Sequence, residues 1–180
     1  MQVDLSKYDN SWFDPGRGMI VRTAWHYVNT LFFTNGFFPV SGFKVFLLRV
    51  FGAEIGRGVV VKPRVNIKYP WNLCVGDYTW IGEEVWIDNL TKVKIGSNCC
   101  LSQGALLLCG NHDYRKETFD LMVGEIVMED GVWIGANAIV PGNAVCHTHS
   151  VLSVQSVAPA IMEPLTIYRG NPATAVKKRI

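Results

Sequence analysis

Four histidines occur in the 180 residues, His26, His112, His147 and His149, and one of them stands where the pattern of the chain breaks. Leu106 to Phe119 reads LLLCGNHDYRKETF, a strand-like apolar run that turns abruptly into His112, Asp113, Tyr114, Arg115, Lys116 and Glu117. Imidazole titrates close to neutral pH, so a histidine in such a loop can take the proton of a weak nucleophile such as a hydroxyl. That service is worth roughly 10²–10⁴ in rate. Asp113 is adjacent, but neighbours in an extended segment point to opposite sides; it is expected to fix the loop rather than orient the ring. His147 and His149 alternate onto one side of any strand. Two histidines are an incomplete ligand set for zinc, and no metal is expected.

A break needs a pattern to interrupt. From Ile55 onward an aliphatic residue recurs every six positions, commonly with glycine after it: IGRGVV, VKPRVN, IKYPWN, then, after a two-residue slip, VGDYTW, IGEEVW, IDNLTK. A second slip resets the phase to IGSNCC, LSQGAL and LLCGNH, and beyond the charged loop come MEDGVW and IGANAI. A helix of 3.6 residues per turn would walk these positions around its surface, so a period of six argues for short strands joined by tight turns. Three hexapeptides close one triangular coil, which buries its inner face only when neighbouring coils cover it. The reading is an all-β parallel β-helix over residues 53–168, with residues 112–125 a loop leaving one corner. After NAIVPG the pattern frays. Cys146 and Leu152 stand where glycine is expected, so irregular late coils are anticipated.

The flanks read differently. Residues 1–52 form a helical and extended segment in which Phe43, Phe46, Leu47 and Val50 share one helical face, with Lys44 and Arg49 off it. That face is expected to pack on the coils; the alternative is peripheral contact of residues 20–51 with a membrane surface. No run there reaches the 18 or so apolar residues needed to span a bilayer. Residues 169–180 read as a cap helix, with Asn171 as N-cap and Pro172 in the first turn.

Composition excludes several classes. With 49% hydrophobic and 18% charged residues the chain is globular, and a net charge of +2 argues against a nucleic-acid binder. Five scattered cysteines make a poor disulfide framework, which favours a reducing compartment, and the first residues lack a signal-peptide core.

Taken together the motifs are similar to one family. GNHDY followed by VWIGANAIVPG resembles the sugar O-acetyltransferases of the hexapeptide-repeat family. FLLRVFGAEIG, VVVKPRVNIKYPWNLCVGDYTWIG and YRGNPATAVKKR resemble the colanic-acid-biosynthesis type, in order, from about residue 43. The resemblance implies left-handed coils, acetyl-CoA as donor, a saccharide hydroxyl as acceptor, and a homotrimer with its sites in the grooves between subunits. It implies a setting in exopolysaccharide or cell-surface glycan synthesis, cytoplasmic or at the inner face of the membrane.

The same resemblance assigns roles. His112 is the base; main-chain N–H groups of Gly135 and Ala136 face the thioester, with Ala136 in the catalytic set; Trp133 packs beside the pantetheine arm. Trp80 and Trp86 fall at the equivalent point of their hexapeptides, so Trp133 equally suits a structural corner. Arg169, Gly170, Asn171 and Pro172, with Lys177, Lys178 and Arg179 beyond, lie where coenzyme A binds. Asp88, Asn89 and Trp86 are candidate acceptor contacts. An amino-sugar N-acetyltransferase, an antibiotic acetyltransferase, a γ-class carbonic-anhydrase-like metalloenzyme using His112, His147 and His149, and a non-catalytic scaffold remain alternatives.

Overall fold

A computed structural model of the protein describes residues 2–180. About six coils wind into a left-handed parallel β-helix with three faces. The first face stacks Glu54–Ile55, Leu73–Val75, Val93–Ile95, Ile126–Met128, Val145–Cys146 and Ile161–Met162. The second stacks Val60–Val61, Trp80–Ile81, Cys100–Leu101, Trp133–Ile134, Val151–Leu152 and Thr166–Gly170. The third has Asn66–Ile67, Trp86–Asp88, Leu106–Leu108 and Ile139–Pro141, extended by a single bridge between Ile139 and Val157.

The hexapeptide phase fixes what lies inside. Val61, Ile81, Leu101, Ile134 and Leu152 form one fully buried column in parallel register, and Ile67, Ile87, Leu107 and Val140 form another. Each such side chain contributes about 1.5–3 kcal/mol on burial. Cys146 and Leu152 are both fully buried, paired with Met128 and Ile134 of the coil below. They occupy the aliphatic slot, not the glycine slot, so the late coils keep their phase. At the corners one residue per turn takes a left-handed backbone, as do Arg64, Glu84, Gly104, Asn137 and Gln155 between the second and third faces.

Two helices close the lower end of the solenoid: α1, Met19–Val28, running into a π-helical turn at Asn29–Phe33, and α2, Ser41–Val50. The expected packing face of α2 is corrected. Lys44, Val45 and Leu48 face the coils, while Phe46 and Val50 are 57% and 62% exposed. The cause is the open end of the ladder, whose backbone groups need partners. Ser41 Oγ accepts from the Val61 N–H at 2.8 Å, Lys44 Nζ donates to the Lys62 carbonyl at 2.9 Å, and Arg49 donates to the Ile55 and Gly56 carbonyls. The polar side of α2 therefore turns inward. The buried Lys44 ammonium lies 5.8 Å from the centre of the Phe33 ring, and desolvation lowers its pKa. On α1, Trp25 does the same for the third face, its indole N–H donating to the Ile67 carbonyl at 2.8 Å.

The predicted C-terminal helix is also corrected. Ala173–Lys178 is a strand, antiparallel to Thr166–Gly170, and it covers the top edge of the second face. Asn171 and Pro172 are the two residues of the hairpin turn, not a helix start. Asn-Pro is a turn signal, and the open ladder above Thr166–Gly170 offers a strand more hydrogen bonds than a short helix could make alone.

Candidate active site

The charged break is a hairpin. Gly110–His112 leaves the third face and pairs antiparallel with Leu121–Val123, which returns the chain to the first face. Its tip is pinned from several sides. Asp113 accepts from the Arg115 N–H and Nε, Lys116 reaches Asp120 at 2.8 Å, and Lys7 Nζ donates to Glu117 at 2.6 Å. The Asp4 N–H donates to the Glu117 carbonyl, so the N-terminal segment is stitched to the loop. Asp113 thus holds the loop, as its position in an extended stretch implies.

His112 Nδ1 lies 2.9 Å from the Phe119 carbonyl, and its ring stacks on Phe119 at 4.4 Å with the planes 6° apart. A carbonyl can only accept, so Nδ1 carries the proton and Nε2 keeps its lone pair. Nε2 has no hydrogen-bond partner among the described residues. This is the tautomer a base requires. Phe119 itself sits in the left-handed region (φ 48°), which turns its carbonyl back toward the ring. No motif in the sequence pointed to it.

His112 lines a cleft of about 670 Å³. Tyr8, Asn10, Phe13 and Pro15 of the N-terminal segment wall one side, Arg22 of α1 closes an end, and Lys68, Tyr69 and Asp88 come from the third face. A second hollow of about 340 Å³ shares Arg22, Lys68, Tyr69 and Asp88 and carries Trp86 on its rim. Lys68 and Asp88 stand one coil apart with Nζ 3.1 Å from Oδ1. Arg57–Asp77 and Arg64–Glu84 pair at the same spacing of twenty residues. That period was available in the sequence and would have brought Lys68 to Asp88. Tyr8 and Arg22 lie outside any repeat signal.

Among the predicted acceptor contacts, Asp88 reaches the cleft and Trp86 its neighbour, but Asn89 is corrected. Its amide is fully buried, accepting from the Tyr69 N–H and donating to the Tyr69 carbonyl, and so it clamps the corner backbone.

The predicted donor-side residues gather elsewhere. Gly135 and Ala136 form the corner between the second and third faces. The Gly135 N–H donates to the Leu152 carbonyl at 2.8 Å, so it belongs to the ladder and is no longer a candidate for a developing charge. The Ala136 carbonyl accepts from Gln155, while its N–H has no partner among the described residues. Trp133, 47% exposed, donates its indole N–H to Ser102 Oγ at 2.9 Å. Trp80 shares its column through Cys100, but Trp86 lies on the third face, so the three tryptophans are not in one register.

The turn at Arg169, Gly170, Asn171 and Pro172 lies over Ser156 and Val157, near the same edge as Ala136. Lys177 and Lys178 line a shallow groove of about 270 Å³, with Lys178 Nζ on Thr166 Oγ1. Arg179 is corrected: it donates to the Gly131 and His149 carbonyls and fastens the last strand to the corner below. His147 Nδ1 and the Thr148 N–H and hydroxyl converge on Glu129, on a corner between the first and second faces. His112 stands on a different edge from His147 and His149, and no cluster of three or more potential metal ligands occurs among the described residues. Burial pushes the thiols of Cys99, Cys109 and Cys146 up to about 11, about 12 and about 12, and all five cysteines are free.

No protein-family model matches the chain. Among curated proteins it is 34% identical over 137 residues to WcaF of Escherichia coli (strain K12), an acetyltransferase named for colanic acid biosynthesis; the match covers 76% of this chain and 75% of that protein. Among solved structures, a hexapeptide-repeat-containing acetyltransferase of Vibrio cholerae complexed with acetyl coenzyme A superposes with a TM-score of 0.82 at 22% identity, covering 93% of each chain. A galactoside acetyltransferase in complex with coenzyme A superposes at 0.78 with 17% identity, covering 89% of this chain and 82% of the other. With the hexapeptide coils, the histidine on the broken corner and this relative in hand, the chain belongs to the hexapeptide-repeat acetyltransferases, beside the colanic acid biosynthesis type.

Proposed function

We propose that the protein transfers acetyl from acetyl-CoA to a hydroxyl of a saccharide in exopolysaccharide or cell-surface glycan synthesis. The observation that carries the reading is His112, which lines a cleft of saccharide size and is held by Phe119 in the tautomer that leaves Nε2 free. Acetyl-CoA as donor and a sugar hydroxyl as acceptor are supported by the colanic acid relative and by the neighbours solved with acetyl-CoA and coenzyme A.

His112 Nε2 takes the hydroxyl proton as the oxygen attacks the thioester carbonyl, and returns it to the departing thiolate. The negative charge that develops on the carbonyl oxygen needs a donor in place beforehand, and the unpartnered Ala136 N–H supplies it. Trp133 flanks the pantetheine arm; Lys177 and Lys178, at the end of the hairpin away from its Asn171–Pro172 turn, meet the phosphates. Asp88 and Trp86 border the acceptor.

His112 and Ala136 occupy different edges of a three-sided prism, so the reading requires two copies. The edge carrying His112 in one copy faces the edge carrying Ala136 in the next, a heterologous contact that closes into a homotrimer. Light scattering gives the mass.

Residues 15–53 contain no Asp or Glu; Arg17 and Arg49 are exposed there, as are Ile20, Phe37, Phe46 and Val50. No helix among the described residues is long and apolar enough to cross a membrane. This face rests on an anionic cytoplasmic leaflet, which would bring the site to a lipid-linked acceptor. Flotation with phosphatidylglycerol vesicles but not with phosphatidylcholine vesicles is expected; absence from both floating fractions contradicts it.

Coenzyme A release from acetyl-CoA, followed across a saccharide panel with mass spectrometry of the product, tests the main reading. A monoacetylated sugar supports it. Retention of acetyl-CoA against every saccharide, together with no calorimetric binding of coenzyme A, would overturn it.

A further inference from the structure

The cleft beside His112 contains an unsolved charge. The charged side chains lining it, besides the histidine, are Arg22, Lys68 and Asp88. Lys68 and Asp88 form an ion pair with Nζ 3.1 Å from Oδ1, although that buried oxygen makes no hydrogen bond. Arg22 forms no ion pair among the described residues, and its Nε is shielded from solvent without a hydrogen-bond partner. Nor does its own element offer one, since residues 15–53 hold no acidic side chain.

A guanidinium nitrogen withdrawn from water without a partner is costly, and native structures rarely leave one so. Arg22 could have pointed outward from α1, a helix with a largely exposed surface; instead it borders both hollows. Trp25, one turn on, anchors α1 through the Ile67 carbonyl and so holds Arg22 over the cleft. A planar fork of donors fixed in this way suits an oxyanion with two acceptor oxygens.

We propose that the acceptor is an anionic saccharide, bound with a carboxylate or phosphate on Arg22 while the hydroxyl to be acetylated lies at His112. This rests on the reading of the cleft as the acceptor site. Arg22 is then a specificity-determining residue: a neutral sugar leaves the guanidinium unpaired and binds less well. The Lys68–Asp88 pair stays internally neutral, so the preference depends on Arg22.

The test pairs probes by charge: methyl glucoside with methyl glucuronide and glucose 1-phosphate, and the same three in the galacto series. Each is titrated into coenzyme-A-loaded protein and offered to the acetyl-CoA-charged enzyme, using the native chain, Arg22→Gln and Arg22→Lys. At least one anionic probe is expected to bind about tenfold more tightly than its neutral partner, the gap closing in Arg22→Gln and partly returning in Arg22→Lys. Preference for the uronides identifies a carboxylate, and preference for the sugar phosphates a phosphate.

Equal binding of neutral and anionic probes overturns the proposal. So does a preference that survives Arg22→Gln, or no anion binding at millimolar concentration. Acetylation of neutral glycosides as efficiently as anionic ones would also sink it while leaving acetyl transfer intact. An Arg22-dependent preference without acetyl transfer to any probe would do the reverse.

Discussion

Two edges of the same prism are built in opposite ways. The edge between the second and third faces is regular: every coil turns there with one left-handed residue, and its backbone groups feed the ladder except for one N–H per turn, that of Glu83, Gln103, Ala136 or Val154. At the edge between the third and first faces the repeat is abandoned. There a hairpin, a stitched N-terminal segment and a cross-coil ion pair surround His112. The regular edge can present a fixed backbone donor because its neighbours leave it no freedom. The irregular edge can present a side chain and a shaped hollow because it has left the lattice. In the proposed homotrimer, a rigid donor from one edge and an adaptable pocket from the other would serve one reaction.

Removing the proposed base from the irregular edge should have the largest effect. His112→Ala is expected to lower kcat by roughly 10²–10⁴ with coenzyme A affinity unchanged, measured by steady-state rates and calorimetry. Near-native turnover would take the chemistry away from that edge.

The regular edge has its own probe. Pro63 occupies in the first coil the place of Ala136 in the fourth, two residues beyond the buried Val61 and Ile134. Proline is therefore compatible with that turn and removes only the N–H. Ala136→Pro should lower kcat by about 10²–10³ and leave the melting temperature nearly unchanged. A folded, fully active Ala136→Pro protein would make this edge a scaffold alone.

Smaller effects sharpen the comparison. Replacing Lys177 and Lys178 with Gln should weaken coenzyme A about tenfold in a titration and leave kcat at saturation alone. Glu129 lies on the third kind of corner, between the first and second faces, and should concern stability only. Hydrogen bonds from Thr148, then His147, hold its carboxyl down to about 2. A depressed carboxylate stabilises the fold above its unfolded pKa, and that contribution is lost as pH falls from about 4.5 toward 2. Glu129→Gln should flatten acid unfolding in that window, with little change in turnover at neutral pH.

The same contrast explains what could be read before the fold was seen. The coil, its buried columns and the place of its break follow from a period of six, because a solenoid repeats one local solution and each register position must be apolar. His112 was legible as the histidine at the interruption. The carbonyl that orients it was not, since a backbone group leaves no mark on residue type. Arg22 and Tyr8 reach the cleft from outside the repeat. At both ends of the solenoid, sequence pattern misled for one reason: unpaired ladder edges turned the polar side of α2 inward and drew ATAVKK into a strand. Asn89 and Gly135 were placed at the right corners, but their hydrogen-bonding groups were already spent on the backbone.

The central claim is that His112 of one copy works with Ala136 of another, and complementation tests it most directly. His112→Ala and Ala136→Pro chains, each nearly inactive alone, are unfolded, mixed equally, refolded together and assayed against native protein treated in the same way. With sites shared between neighbours in a trimer, random assembly gives about one quarter of native activity, because one site in four receives both intact residues. Activity no higher than that of the separate variants, in a mixture shown by mass to contain mixed trimers, would place both residues in one chain and contradict the account.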